Sequence, residues 1–138
     1  MFDTSTETGA RAQLRLYEEQ IAWFTTVRHD GMPQPVPVWF LWDGESFLIY
    51  TYSSARKLKN IRANPRVALN LNSGAGGDDI VRAEGAAEIL QEFPPPNEVP
   101  EYLEKYRQGM AAVSGDPESF ARYYGTALRV QPERWQVW

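Results

Sequence analysis

The chain has 138 residues, of which 43% are hydrophobic and 23% charged, and this composition is typical of one globular domain, which we expect to span residues 1–138. It contains no cysteine and one histidine, His29, which excludes disulfides, thiolate nucleophiles, iron–sulfur clusters and zinc sites of Cys or several His. The formal net charge of −4 argues against general nucleic-acid binding.

The sequence also gives an expectation about location. Its apolar runs are far shorter than the roughly 20 residues that span a bilayer. Residues 1–5 have neither the basic start nor the apolar core of a secretory signal. We therefore expect a cytoplasmic protein with no membrane partner.

The first half of the chain predicts one helix and a meander of short strands. Ala10, Leu14 and Tyr17 form an apolar stripe at helical spacing, which predicts an N-terminal helix over about 8–20. Strands rich in β-branched and aromatic residues are predicted at 21–28, 35–42 and 47–52, with Asp-Gly turns at 30–31 and 43–44. These strands are too closely spaced for βαβ units.

The second half alternates helices and strands. Predicted elements are a short helix after Ser53-Ser54 that stops at Asn64-Pro65, strands at 66–72 and 80–90 with a bulge at Gly85, and a helical insertion over about 98–124. Within that insertion Asp116-Pro117 predicts the cap and first turn of a second helix. Two closing strands, 126–130 and 133–138, are expected around Gln131-Pro132. Six or seven short antiparallel strands with added helices predict a mainly β fold, a small β-barrel with helical decoration.

Aromatic residues and prolines concentrate on the strand predicted at 35–42. Pro35 and Pro37 cannot donate ladder hydrogen bonds, which indicates that part of this strand faces a ligand or a partner. Trp39 and Trp42 lie on the same strand. An apolar surface of this kind would suit a flat aromatic cofactor or a dimer interface. Burial in the core is the alternative for each tryptophan.

A basic segment interrupts the acidic chain. No Asp or Glu occurs from Ser46 to Gly77, whereas five cations fall in this window: Arg56, Lys57, Lys59, Arg62 and Arg66. The segment predicts either a localised anion site or a solvated helix face.

The order of elements within residues 49–61 favours the anion site. A strand leads through a hydroxyl-rich turn into a helix whose first turn carries Arg56 and Lys57. Cations at a helix start oppose the helix dipole, and a bound anion would offset this cost. Free backbone N–H groups, Ser and Thr hydroxyls and the Arg-Lys pair together predict a phosphate or carboxylate ligand.

The residues that carry a family pattern are Thr51, Arg56-Lys57, Asn60 and Asn64-Pro65. This pattern resembles the pyridoxamine 5′-phosphate oxidase-like FMN-binding split-barrel proteins, in which such a strand–turn–helix holds the phosphate of FMN. Residues 28–40 look like the family's opening hairpin, whose second strand lies against the isoalloxazine ring. The resemblance covers roughly residues 20–90 and implies a split β-barrel.

A narrower resemblance concerns the cofactor. Residues 35–40 (Pro-Val-Pro-Val-Trp-Phe) and 57–61 (Lys-Leu-Lys-Asn-Ile) look like the branch that uses coenzyme F420, a deazaflavin with a phosphate and an acidic oligoglutamate tail. Lys59 and Arg62 would suit such a tail, and solvent-facing helix positions explain them equally well. Ala55 departs from the oxidase pattern, which has Ser there, so one phosphate hydrogen bond is absent or comes from Ser53 or Ser54.

The resemblance implies an oxidoreductase that transfers hydride from reduced F420 to a small activated unsaturated or quinone-like acceptor. It also implies a homodimer with cofactors at the subunit interface. The implied cofactor-binding residues are Pro37, Val38, Trp39, Thr51, Ser53, Arg56, Lys57 and Asn60. No catalytic residue and no metal ligand is assigned, and the proton is left to solvent or to a tyrosine such as Tyr50 or Tyr52.

Two alternatives remain open. The first is an FMN-dependent oxidoreductase of the same fold, for which Lys59 and Arg62 would be dispensable. The second is a non-catalytic carrier or sensor of flavin, haem or a tetrapyrrole, with His29 as the single histidine available to haem. His29 lies in a predicted hairpin turn, which favours an exposed turn residue over a catalytic base.

Overall fold

A computed structural model describes residues 1–138, and in it seven strands form one antiparallel sheet that curls into a half-barrel decorated by four helices. The helices are α1 (Glu7–Glu18), α2 (Arg56–Ala63), α3 (Pro100–Ser114) and α4 (Pro117–Tyr123). The strands are β1 (Ile21–Val27), β2 (Pro33–Trp39), β3 (Leu41–Trp42), β4 (Phe47–Thr51), β5 (Arg66–Leu71), β6 (Val81–Ile89) and β7 (Thr126–Val137). The predicted mainly β split-barrel architecture is confirmed.

The strand order shows how the sheet curls. It runs β2-β1-β5-β6-β7-β4-β3, so β2 and β3 form its two edges although only Phe40 separates them in the chain. Because one residue joins the two edges, the sheet must bend back on itself at this point. Phe40 is therefore the joint at which the barrel is split.

Two apolar clusters hold the fold together. Twenty buried residues fill the inside of the curled sheet, and seven more lie between the sheet and the helical insertion. Strand β4 serves both clusters, since Phe47 and Ile49 face the first while Leu48 and Tyr50 face the second. This alternation is the two-residue period of a strand covered on both faces.

Several local predictions are confirmed. Asp116 caps α4 by accepting a hydrogen bond of 2.7 Å from the Ser119 N–H, and Pro117 occupies the first turn. The pairing of β6 with β7 shifts register between Glu84 and Gly85. A Cβ at Gly85 would lie 2.1 Å from the Gln131 carbonyl oxygen, so only glycine fits this bulge.

Two predictions need correction, and one alternative is decided. The two closing strands are one strand, β7, because a bulge leaves Glu133 without a partner on β6 while Pro132 pairs with Gly85, so the strand continues past the proline. The strand predicted at 35–42 begins at Pro33 and breaks at Phe40, since β2 is an edge strand that tolerates proline. For Trp42, the structure has the alternative that the sequence left open, since this side chain is in the core at 2% exposure and packs on Phe47.

No helix combines the length and the apolar character that a bilayer crossing requires. The N-terminal helix starts at Glu7 and ends at Glu18, slightly earlier than predicted at both ends.

Candidate functional site

The start of helix α2 leaves backbone donors free. Strand β4 ends at Thr51, and a turn closed by a 3.0 Å bond from the Ala55 N–H to the Tyr52 carbonyl leads into the helix. Ala55 offers no side-chain cap, and the first turn contains no acidic residue. The N–H groups of Arg56 and Lys57 donate to no protein acceptor. An uncapped helix start of this kind is a ready anion-binding position.

Asn60 fixes α2 onto the first hairpin. Its side chain is 4% exposed, and its Nδ2 donates to Thr26 Oγ1 at 2.9 Å and to Gln34 Oε1 at 2.8 Å. Leu58 and Ile61 anchor the same helix in the core. Because both amide hydrogens of Asn60 are used within the protein, this side chain positions α2. The contact of Asn60 with a cofactor stays a prediction.

A cavity of about 330 Å³ opens on one side of the α2 start, and we call it the aromatic cleft. The sheet contributes Ile21, Pro37, Val38, Trp39, Tyr50 and Thr51 to its lining. The remaining lining residues are Tyr52, Lys57, Val113, Phe120 and Tyr124. The structure thus brings together five of the eight predicted cofactor-binding residues, namely Pro37, Val38, Trp39, Thr51 and Lys57.

Trp39 forms a wall of this cleft. Its ring stacks on Tyr106 with centroids 4.7 Å apart and on Phe120 with centroids 5.2 Å apart. A Cβ at Gly109 would lie 2.7 Å from Cη2 of Trp39, so the close approach of α3 depends on glycine there. Protein rings therefore hold the Trp39 indole in place.

Lys57 is a half-buried cation without a counter-ion. Its Nζ lies 3.5 Å from Oγ1 of the buried Thr51, and no carboxylate lies within salt-bridge distance. Burial lowers the pKa of Lys57. An uncompensated charge in a partly apolar cleft is costly, and an anionic ligand would stabilise it.

A second cavity, of about 610 Å³, lies on the other side of the α2 start, and we call it the basic recess. Its lining consists of Arg28, His29, Ser54, Ala55, Arg56, Lys59, Asn60 and Ala63, with no carboxylate among them. Arg28 forms an ion pair with Asp30 at 2.6 Å. Arg56 and Lys59 are exposed and form no ion pair, so the recess favours anions.

The remaining predicted residues fall around these two cavities. Arg56 and Asn60 line the basic recess, and Ser53 lies on the exposed turn before α2, outside the lining of either cavity. His29 is an exposed residue of the first hairpin turn, as predicted, and it also lines the recess.

Sequence reasoning missed the contribution of the helical insertion. Phe120 and Tyr124 of that insertion form part of the cleft wall although they lie more than sixty positions after Thr51 in the chain. The sequence predicted only that they belong to the helical insertion, and no local signal connected them with the α2 start.

Tyr50 is poorly suited to donate a proton. Its hydroxyl donates to the Pro94 carbonyl at 2.6 Å, and burial raises the pKa of Tyr50. No group of three or more His, Asp and Glu side chains is placed to hold a metal ion. The arrangement can therefore bind an anionic, partly aromatic molecule, and it contains no obvious acid–base pair.

Comparison with solved structures supports the fold. An F420 reductase is 27% identical, with a TM-score of 0.67 over 88% of this chain and 93% of that one. The haem storage protein HutZ from Vibrio cholerae is 16% identical, with a TM-score of 0.67 over 96% and 95% of the two chains. General Stress Protein 26 from Bacillus anthracis is 18% identical, with a TM-score of 0.68 over 92% and 91%.

No curated protein matches the sequence. The sequence model of the pyridoxamine 5′-phosphate oxidase family matches residues 9–138, which include every strand, the α2 start and both cavities. On this match, the chain belongs to the pyridoxamine 5′-phosphate oxidase family.

Proposed function

We propose that this protein is an oxidoreductase that binds coenzyme F420 and uses its reduced form to transfer hydride to a small activated unsaturated or quinone-like acceptor. The observation that carries the proposal is the uncapped α2 start, where Arg56 and Lys57 extend into two different cavities without carboxylate partners. The deazaflavin ring, phosphate and acidic tail of F420 match the aromatic cleft, the helix start and the basic recess in that order.

The phosphate position follows from hydrogen-bond donors. Two free N–H groups, the Lys57 ammonium and the Thr51 hydroxyl converge near the first turn of α2. The positive end of the helix dipole adds to them. These groups satisfy a phosphate better than water alone does, because charge-assisted hydrogen bonds are the stronger class.

The tail distinguishes F420 from FMN. A phosphate at the helix start would use Lys57 and the backbone, and would leave Arg56 and Lys59 facing the recess. An oligoglutamate tail supplies carboxylates for these two cations, whereas FMN ends at its phosphate. The similarity to an F420 reductase at 27% identity points the same way.

The chemistry of hydride transfer belongs to the cofactor when it is bound. The chain contributes binding, orientation and exclusion of water. Pro37, Val38 and Trp39 would line the ring, and Phe120 with Tyr124 would cover the acceptor side of the cleft. Since the Tyr50 hydroxyl is engaged with Pro94, the proton that completes reduction is left to solvent or to Tyr52, which also lines the cleft.

We also propose that the protein works as a cytoplasmic homodimer with cofactors at the subunit interface. The outer face of β1 and the edge strand β2 exposes apolar groups, including Trp23 at 37% and prolines 33, 35 and 37. A second copy covering this face would bury these groups and the open side of the cleft.

The proposal is tested by separate fluorescence titrations with F420 and FMN, followed by oxidation of reduced F420 in the presence of menadione as a quinone acceptor. We expect tighter binding of F420 and a faster oxidation with protein than without it. Preferential FMN binding would assign the cleft to an FMN enzyme. Binding of F420 without any acceleration would leave a carrier.

A further inference from the structure

The Phe40 joint is held by side chains of helix α3. The Phe40 N–H donates to Tyr106 Oη at 2.9 Å, and the Phe40 carbonyl accepts from Lys105 Nζ at 2.9 Å. Tyr106 Oη also lies 2.8 Å from that carbonyl oxygen. Because β2 and β3 separate to opposite edges here, side chains replace the missing ladder at this peptide.

Tyr106 connects this joint to the cleft. Its ring stacks on Trp39 at an interplanar angle of 3°, and its hydroxyl lies 2.7 Å from the Gln20 carbonyl oxygen at the start of β1. One hydroxyl hydrogen can serve only one of the two carbonyls, so the Phe40 carbonyl depends on Lys105 whenever Tyr106 donates to Gln20. The Trp39 wall and the joint are therefore held by the same side chain.

Lys105 is a half-buried cation with an unusual set of neighbours. Its Nζ lies 4.0 Å from the centroid of the Phe40 ring and 5.3 Å from that of Tyr106. No carboxylate lies within salt-bridge distance of it. Burial lowers the pKa of Lys105 to about 8, and the charge of Glu19, at the end of α1, acts in the opposite direction.

Other charged groups near Lys105 lie along the same surface groove. Glu104 and Arg107 line it together with Lys105, and Glu101 lies one turn earlier on α3. Glu19 is itself paired with Arg15. Lys105 is thus the group in this setting that binds the joint and whose pKa burial lowers to about 8.

We propose that Lys105 and Tyr106 are positioning residues that hold the Phe40 peptide and thereby the Trp39 wall, so that cofactor affinity depends on whether Lys105 is protonated. This inference rests on the proposed binding of F420 in the aromatic cleft. Loss of the Lys105 charge converts a charge-assisted hydrogen bond into a weaker neutral one. The joint then loosens, and the wall loses its fixed position against the ring.

The first arm of the test needs no ligand. Two-dimensional NMR would follow the indole N–H signal of Trp39, assigned with Trp39→Phe, between about pH 6.5 and pH 9.5, a range that brackets the titration of a lysine with lowered pKa. We expect a shift with a midpoint near pH 8 in the wild type and none in Lys105→Met. The matched control is Arg107→Met, an exposed α3 cation that should leave the shift intact.

The second arm measures the Kd for F420 at several pH values over the same range. We expect the Kd of the wild type to rise about fivefold above pH 8, which is the effect of weakening one charge-assisted bond. Lys105→Arg should remove the part of this rise that Lys105 causes, since arginine stays charged, and any rise that remains belongs to Lys57, whose pKa is also lowered by burial. Lys105→Met and Tyr106→Phe should bind more weakly even at low pH.

The outcomes separate the two proposals. Failure of F420 to bind at any pH, with a Trp39 signal that still titrates, overturns the proposed function and keeps the link between Lys105 and the wall. A pH-independent Kd together with an unmoved Trp39 signal overturns the link. If Lys105→Met fails to fold, Lys105→Arg still tests whether the pH dependence comes from Lys105.

Discussion

The aromatic cleft and the basic recess flank the same helix start and differ in almost every physical property. The cleft is smaller, about 330 Å³ against about 610 Å³, and five of its eleven lining residues are aromatic, whereas the recess presents arginine, lysine and histidine. Two adjacent residues of the helix line different cavities, since Lys57 lines the cleft and Arg56 lines the recess. Successive helix residues point about 100° apart, so one first turn can serve both ends of an amphipathic ligand.

The two cavities also differ in how much their cations cost the fold. Lys57 is half-buried and its pKa is lowered by burial, while Lys59 is exposed. A charge held away from water destabilises the folded state, and an exposed one does not. Substitution of the cleft cation Lys57 should therefore exchange binding for stability, and substitution of the exposed recess cations Arg56 and Lys59 should change binding alone.

The largest effect is expected from Asn60→Leu, which removes the hydrogen bonds that hold α2 between the two cavities. Thr26 and Gln34 would lose their buried partner, so the free energy of unfolding should fall by about 2–3 kcal/mol. Urea unfolding measures this change. Asn64→Ala, which removes one exposed bond to the Arg66 N–H, should cost less than about 1 kcal/mol. Equal stability of the wild type and Asn60→Leu would contradict the proposed role of Asn60.

Next in size is Lys57→Met on the cleft side. Loss of a charge-assisted phosphate bond should raise the Kd for F420 by about 10- to 100-fold. Thermal unfolding of the free protein should show equal or greater stability, because a half-buried cation has been removed. A fluorescence titration measures the change in Kd, and a melting curve on the same sample measures the change in stability. An unchanged Kd would place the anion outside the cleft.

A smaller effect is expected from Arg56→Gln and Lys59→Gln on the recess side. Each substitution should raise the Kd for F420 by about threefold to tenfold at low salt, and the difference in Kd from the wild type should shrink as the salt concentration is raised. FMN, which has no tail to reach the recess, should be affected less. Arg62→Gln, outside the lining of the recess, is the matched control. Equal losses for FMN and F420 would mean that the recess does not select the tail.

The smallest effect is expected from Ala55→Ser, which restores the hydroxyl that the oxidase pattern has before the Arg-Lys pair. Ala55 is the buried N-cap of α2 and lines the recess. A serine there should tighten F420 binding by about threefold or less, because its hydroxyl oxygen and the phosphate compete as acceptors for the same helix N–H groups. Ala63→Ser, at the far end of α2, should leave the titration unchanged. Weaker binding of Ala55→Ser would indicate that the recess is too narrow there.

Much of this architecture could be predicted from short stretches of the sequence. The Asp-Gly turns, the Asn64-Pro65 stop and the glycine at the bulge each act over a few residues, and the structure has a turn, a helix end and a register shift at those places. Arg56 and Lys57 could be chosen because their position in a first helical turn is visible in the sequence.

Features that depend on folding were not visible. The break at Phe40 arises because the two edges of the sheet meet there, and no residue of the strand predicted at 35–42 indicates it. Phe120 and Tyr124 reach the cleft through the packing of α3 and α4 on β4. The choice of Asn60 from a motif could not reveal that its amide hydrogens would meet Thr26 and Gln34.

The central claim is that the α2 start binds the ring of F420 on one side and its charged tail on the other. The most direct test compares the Kd of intact F420 with that of its deazaflavin riboside, which lacks phosphate and tail, in the wild type and in Arg56→Gln. We expect intact F420 to bind the wild type at least about 100-fold more tightly than the riboside, as two or more charge-assisted contacts require, and we expect Arg56→Gln to reduce this ratio of affinities. Equal affinities for the intact cofactor and the riboside would contradict it.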